Sequence, residues 1–357
     1  MAVLGALGAL PPLCFAGGAL VAHGPLRALP IQHGILVALT GLSVGLAGRA
    51  AAPDAGWLLV ASLLVFVSLG LLNVLLPPFV KARFRRRGAA VTGLYITLMG
   101  AGTFAAPLIA VPLADAGGWR FSLATWAGLA AVAALIWLPL LRTVPHVPRG
   151  PADAGRPFSL RLPDALRSPV WWGICALCAT PGFTSYAMFA WFPTITADTT
   201  GTDPASAGAV LAFYASFGTP AALLLPLLIR FRHFPFWLIA GCGASFVVGF
   251  CGLLLAPTHG LLVWAALCGL GQTQFPLSLI LMNARARTAA GTALLSTTTQ
   301  AAAYLTAALG PVLIGALHDA TGGWSAPLAL LAVVAGAGSA AALLAAPPRF
   351  IEDARRR

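Results

Sequence analysis

Charge is what this sequence has least of. Only 8% of its 357 residues are Asp, Glu, Lys or Arg, against about a quarter in an ordinary soluble domain. Acid is scarcer still, with nine carboxylates against 21 basic side chains and a net charge of +12. A water-soluble fold with 59% hydrophobic residues and a mean hydropathy of +0.90 would expose apolar patches far larger than soluble monomers carry. The chain also lacks a phosphate-binding loop, a zinc-ligand spacing and a nucleophile triad. That excludes ATP-driven transport by this chain alone and leaves no catalytic cluster for an enzyme, so no cofactor and no metal are expected.

Cysteine contributes little chemistry. Cys14, Cys175, Cys178, Cys242, Cys251 and Cys268 all lie in apolar segments, and the Cys175-x-x-Cys178 pair has no His or acid near it. It reads as small apolar filler rather than a metal or redox site. Residues 1–22 lack the basic n-region of a cleavable signal and run on towards further apolar segments.

What the sequence has is long apolar runs. Lipid requires every backbone N–H and C=O to pair internally, so the spanning structure is helical or a closed barrel. Barrel strands would alternate over about 10 residues, whereas a helix needs about 20 continuous apolar ones. The runs here are of the second kind, which predicts an all-α polytopic bundle. Eleven spans are expected, at 2–22, 31–49, 56–80, 89–114, 121–141, 168–194, 205–229, 234–256, 259–282, 289–316 and 324–346. The polar stretch 142–167, rich in Pro and Gly, reads as a linker between bundles 1–141 and 168–346, with 347–357 a basic tail.

When the loops are sorted alternately, 19 of the 21 basic residues fall on one side and only Arg49 and Arg120 on the other. Positive loops stay inside, so this asymmetry predicts a multi-pass cell-membrane protein with a cytoplasmic C-terminus. It also argues against nucleic acid as the partner of the positive charge. The chain repeats itself: LADAGGW at 113–119 matches LHDATGGW at 317–324, each after a basic loop and a Pro-bearing helix. Pro107 pairs with Pro311, Asp115 with Asp319 and Trp119 with Trp324, at separations of 204, 204 and 205. A parallel two-fold repeat is a common transporter plan. On that arithmetic the first half lacks the counterpart of helix 168–194, so a six-plus-six bundle is expected whose first helix is missing.

Two six-helix halves joined by a basic linker resemble the major facilitator superfamily. NVLLPPFVKARFRRRGAAVTGLYITLMG (73–100), SPVWWG (168–173), YAMFAWFPTI (186–195), GLGQTQFPLSLILMNARAR (269–287) and QAAAYLTAALGPVLIGALHDATGGW (300–324) are similar to its cyanate and 2-nitroimidazole transporter family. The resemblance implies secondary transport by alternating access, and it covers both halves. The loops AHGPLRALPIQHG (22–34) and IRFRHFPFW (229–237) depart from it, since they lack the acid of the superfamily's cytoplasmic gate. The Gly-Pro kink of antiporters is not evident in GAGTFAAPLIAVPL (100–113), although Gly310, Pro311 and Gly315 carry one later. Gln272 stands where the family places a glutamine between glycines, followed here by Thr273 and Gln274.

Polar groups at membrane depth are costly and mark a solute path. All nine carboxylates (Asp54, Asp115, Asp153, Asp164, Asp198, Asp203, Asp319, Glu352, Asp353) fall in loops or at helix ends, so a buried proton-carrying acid is not expected. The candidates are neutral: Gln272 and Gln274 in 259–282, Gln300 and Tyr304 on one face of 289–316, Tyr186 and Trp191 in 168–194, Asn73 in 56–80 and Tyr95 in 89–114. Amides and aromatic rings suit a small polar, planar or weakly charged solute, in keeping with the solutes the resemblance implies. Each has a structural alternative. The glutamines could bond helix to helix, Trp191 could belong to an interfacial aromatic belt, and Asn73 could cap or bridge. Lys81 and Arg83 are topology determinants or anion attractors at the cytoplasmic mouth, while His33, His233 and His318 sit at helix ends.

The expected function is a monomeric secondary active transporter of a small polar or anionic, cyanate-like or nitroimidazole-like solute. Its expected partners are that solute, the bilayer and a coupling ion. The alternatives are a truncated, inactive or regulatory remnant, and a polytopic membrane enzyme.

Overall fold

The computed structural model describes residues 5, 7–15, 30–84, 88–143, 162–218, 220, 224–225 and 234–356. They form helices and no strand. The long ones are α1 (Ile31–Ala50), α2 (Ala55–Arg83), α3 (Gly88–Trp137), α4 (Pro169–Thr200), α5 (Pro204–Ser216), α6 (Phe234–Leu255), α7 (Leu261–Gly271), α8 (Gln274–Ala284), α9 (Ala289–Thr321) and α10 (Ser325–Ala342). Among the described residues, eight segments are long and apolar enough to cross a membrane. One of them, Thr97–Trp137, has 41 residues, about twice what a single crossing needs.

Helix α3 holds the two spans expected at 89–114 and 121–141, separated at Gly117–Gly118, where the backbone leaves helical geometry. Gly118 has φ +81°, a left-handed conformation that costs a side-chain-bearing residue dearly. Gly322, in the matching repeat, has φ +68° and caps α9. Both repeats therefore end a span at a left-handed glycine just before the tryptophan pair Trp119 and Trp324. The span expected at 205–229 is helical over Pro204–Ser216, and most of its remainder lies outside the described residues. So do most of linker 142–167, most of loop 22–34, residues 229–233, and the side chain of Lys81.

Contacts divide the chain into two units, Leu10–Gly102 with Leu108–Arg156, and Pro157–Arg357 with Met1–Ala9 and Thr103–Pro107. In the first, α1 and α2 pack along small residues. A Cβ on Gly45 would lie 2.8 Å from Val65 Cγ2 and 3.0 Å from Val65 N, so glycine is what permits the approach. The apolar side chains of Ile31, Ile35, Leu71, Leu75 and Phe79 are buried together near the other end. Distant backbone carbonyls are tied by side chains: Ser43 Oγ donates to Ala127 O (3.2 Å), Arg120 Nη2 to Ala52 O (3.0 Å) and Trp137 Nε1 to Gln32 O (3.0 Å).

In the second unit α4 is the central element, packed on α9 and α10. Gly310 admits the close approach of α9, since its Cβ would lie 2.5 Å from Phe183 O. Caps start the helices where the sequence offers them: Ser168 accepts from Val170 N (3.3 Å), and Thr288 Oγ1 from Gly291 N (3.0 Å). The bilayer-ready surface is visible in outward-turned side chains such as Ile136, Val333 and Leu255, the last 81% exposed.

Asp203 caps α5 outside the spans, accepting from Ala205 N (3.0 Å) and Ser206 N (3.1 Å). Hydrogen bonds from the Ser206 side chain and amide, then from Ala205, hold its carboxyl below the ordinary carboxylate value. A depressed folded pKa stabilises above the unfolded value of about 3.8 and is lost as pH falls through the lowered one. Amide exchange at Ala205 and Ser206 should therefore accelerate upon acidification through that range. Asp203→Asn should remove this pH dependence, and an unchanged profile would contradict the cap's role.

Candidate functional site

Several polar side chains of the second unit lie near the middle of its long helices. Its buried apolar residues form two clusters, one holding Val170, Trp171, Ile174, Leu177 and Leu277, the other Phe183, Trp191, Phe192, Phe246 and Phe250. Both touch α4, and their boundary falls near its midpoint. Thr180, Thr184, Ser185 and Tyr186 occupy that boundary on α4, and Gln300 and Tyr304 lie at the middle of α9. Polar groups at mid-helix depth are where transporter sites are built.

A broken helix adds to this band. The span expected at 259–282 is α7 and α8, separated at Gln272–Thr273. Pro276 has no N–H, so the Gln272 carbonyl loses its i+4 donor and accepts from Phe275 N instead (3.0 Å). The tightened turn re-aims the two glutamines differently. Gln272, half-buried, donates from Nε2 to Tyr214 O (3.2 Å). Gln274 is fully buried, donates from Nε2 to Ser339 Oγ (2.8 Å), and keeps a buried Oε1 without a hydrogen-bond partner.

The structure thus separates the sequence candidates. Gln274 is a bond between α8 and α10 rather than an accessible group. Trp191 is no belt residue: it is fully buried, and its Nε1 donates to Pro311 O (2.8 Å). Gln272, Gln300, Tyr186 and Tyr304 keep part of their surface open. Tyr186 lies within electrostatic reach of Tyr304, and Tyr304 of Cys178. Gln300 Nε2 donates to Ser296 Oγ (2.7 Å), one turn earlier.

Two groups bond in ways the sequence reading missed, Cys178, read there as apolar filler, and Thr184. Cys178 Sγ donates to Ser278 Oγ at 2.9 Å, bridging α4 and α8. Thr184 Oγ1 turns back onto Thr180 O (2.9 Å), beside the helix prolines of α4. A serine or threonine in an apolar run carries no signal of its partner. Cys175 and Cys178 are free thiols, and no His, Cys, Asp or Glu grouping among the described residues could hold a metal ion.

In the first unit, Asn73 is exposed on α2, Tyr95 is half-buried on α3, and Arg83 is exposed at the end of α2. A hollow of about 540 Å³ lined by Ala47, Ala50, Ala51, Ala124 and Ala127 holds none of them; its Arg120 lies over the Trp119 ring at 4.4 Å. The hollow offers a solute almost no polar contact.

A family model described as the Major Facilitator Superfamily matches residues 1–303. The chain is 31% identical to the Bacillus subtilis (strain 168) protein described as uncharacterized transporter YycB, over 92% of this chain and 80% of that one. It is 30% identical to the 2-nitroimidazole transporter of Escherichia coli (strain K12), over 92% and 82%. To the cyanate transport protein CynX of the same organism it is 27% identical, over 89% and 81%. Its fold is similar to that of a bacterial homolog of the human lysosomal transporter Spinster, solved inward-facing and unoccupied, with a TM-score of 0.75, 15% identity, and 99% and 90% of the two chains covered.

Proposed function

The chain belongs to the Major Facilitator Superfamily, and we propose that it is a secondary active transporter carrying a small polar, planar or anionic solute by alternating access. Membership makes it a multi-pass membrane transporter. The solute class is our reading, drawn from the chemistry of the mid-helix band and from the two relatives named for 2-nitroimidazole and cyanate.

One observation carries it. Tyr186 and Tyr304 lie within electrostatic reach of each other near mid-helix, Gln300 lies one turn before Tyr304, and Gln272 sits at a helix break; all four are partly exposed. Amides offer donors and acceptors together, and tyrosines add a ring face and a hydroxyl. Such a lining desolvates a small dipolar or weakly anionic solute without imposing a fixed counter-charge. Asn73 and Tyr95 are the candidates of the first unit, and Lys81 and Arg83 would raise the local concentration of anions at the mouth. The arginine asymmetry supports a cytoplasmic C-terminus in the cell membrane, and the proposed transporter works as a monomer with a coupling ion.

The test is uptake into proteoliposomes of cyanate and 2-nitroimidazole. Gln300→Ala and Tyr304→Phe should each lower the initial rate about tenfold, the equivalent of about 1.4 kcal/mol for one hydrogen bond to solute. Gln274→Ala should lower thermal stability and leave the rate per folded molecule near wild type. Wild-type rates in the first two variants would remove these residues from the route. Failure of both solutes to move would remove the solute class.

A further inference from the structure

We propose that the second unit carries a binding site for a phosphate group, the headgroup of an anionic phospholipid or a free phosphate-bearing solute, in a cavity between the start of α4 and the C-terminal tail. The cavity measures about 360 Å³ and is lined by Arg167, Ser168, Pro169, Val170, Arg349, Phe350 and Asp353. It lies far in sequence from the mid-helix residues assigned to solute transport and is independent of that reading. It belongs to the basic face, which also holds Arg285 and Arg287.

The charges in this cavity do not cancel. Arg167 and Arg349 are exposed, and neither guanidinium has a hydrogen-bond or ion-pair partner among the described residues. Asp353 is the one acid in the lining, and its charge is already matched. Its Oδ1 accepts from Arg287 Nη1 at 2.7 Å, and its Oδ2 from Phe350 N at 3.3 Å. Arg287 in turn lies over the Phe350 ring at 4.2 Å, which fixes that wall. The α4 amides are no substitute donors, because Val170 N is bound to Ser168 Oγ and Pro169 has none. The helix start still adds positive potential to the two arginines.

Two unpaired guanidinium forks beside a positive helix end suit a tetrahedral oxyanion better than a carboxylate, since each fork can bind two phosphate oxygens. The size is right for a phosphate with a short polar substituent and too small for a folded partner. Phe350, half-buried at the rim, provides an apolar wall against which a glycerol backbone could lie.

The experiment uses the full-length protein, purified and delipidated in neutral detergent. Phosphatidylglycerol, phosphatidylcholine and inorganic phosphate are titrated separately while melting temperature and native mass are recorded. Phosphatidylglycerol should bind the wild type, and Arg167→Gln with Arg349→Gln should weaken it at least tenfold with the probe-free melting temperature unchanged. If inorganic phosphate also binds and is lost in the double variant, the occupant is a soluble phosphate compound. If only the lipid behaves so, it is a headgroup. Equal binding of both probes by wild type and double variant, or equal binding of phosphatidylcholine and phosphatidylglycerol with no response to phosphate, overturns the proposal.

Discussion

Trp191→Ala is expected to destabilise the protein by about 3–5 kcal/mol, read as a lowered midpoint of thermal denaturation in detergent. Trp191 is fully buried, so truncation removes both its transfer energy and the packing around the space it leaves. Its indole fills what Gly315 leaves open, since a Cβ there would lie 2.6 Å from Trp191 Cζ2. It also lies 5.9 Å from the Trp324 ring, which is itself anchored by Nε1 donating to Asp198 Oδ2 at 2.9 Å. One side chain therefore joins α4, α9 and the start of α10. Trp191→Phe keeps most of the volume and loses only the bond to Pro311 O, so its cost should be about 1 kcal/mol. Comparable melting of the two variants would show that packing at this point contributes less than the geometry implies.

Arg285→Met should cost about 3 kcal/mol, because two charge-assisted hydrogen bonds are lost and their acceptors stay buried. Arg285 Nε donates to Ala345 O at 3.0 Å and Nη2 to Ala346 O at 2.6 Å, the last carbonyls beyond α10. Burial pushes its guanidinium pKa down from the ordinary value, yet an arginine remains charged at any working pH. Its own carbonyl accepts Ile351 N at 2.9 Å, which docks the short helix Ile351–Arg356. Glu352 Oε1 completes the clasp by accepting from Arg287 N, Thr288 N and Thr288 Oγ1 at the start of α9. The variant should show both a lower melting temperature and faster proteolysis after Ala346. Arg285→Lys should not rescue it fully, because one ammonium cannot match the fork that spans two successive carbonyls. A tail as resistant as wild type in Arg285→Met would refute the clasp.

How much of this was legible beforehand depends on the range of the physics involved. The helical spans at 31–49, 56–80 and 234–256 follow from apolar length alone, and the structure has Ile31–Ala50, Ala55–Arg83 and Phe234–Leu255. The repeat was legible because the left-handed turns it needs before Trp119 and Trp324 are written as glycines. The break at Gln272–Thr273 was not anticipated, although Pro276 encodes it, because a proline inside an apolar span does not always break the helix: Pro181 and Pro193 lie within α4. Of two glutamines two residues apart, only the fold shows that Gln274 meets Ser339 while Gln272 stays half-open.

By itself the sequence determined the solvent and the all-helical class of the chain, because these depend on composition summed over tens of residues. Scarce charge, apolar runs and clustered arginines do not need partners to exert their effect. The tertiary structure alone decided which polar side chains are used up in holding helices together and which stay available. That choice turns on contacts between residues 65 or 120 positions apart, such as Gln274 with Ser339 and Trp191 with Pro311. A hydrogen bond acts over about 3 Å, and no local pattern in the chain records what will lie within that distance after folding.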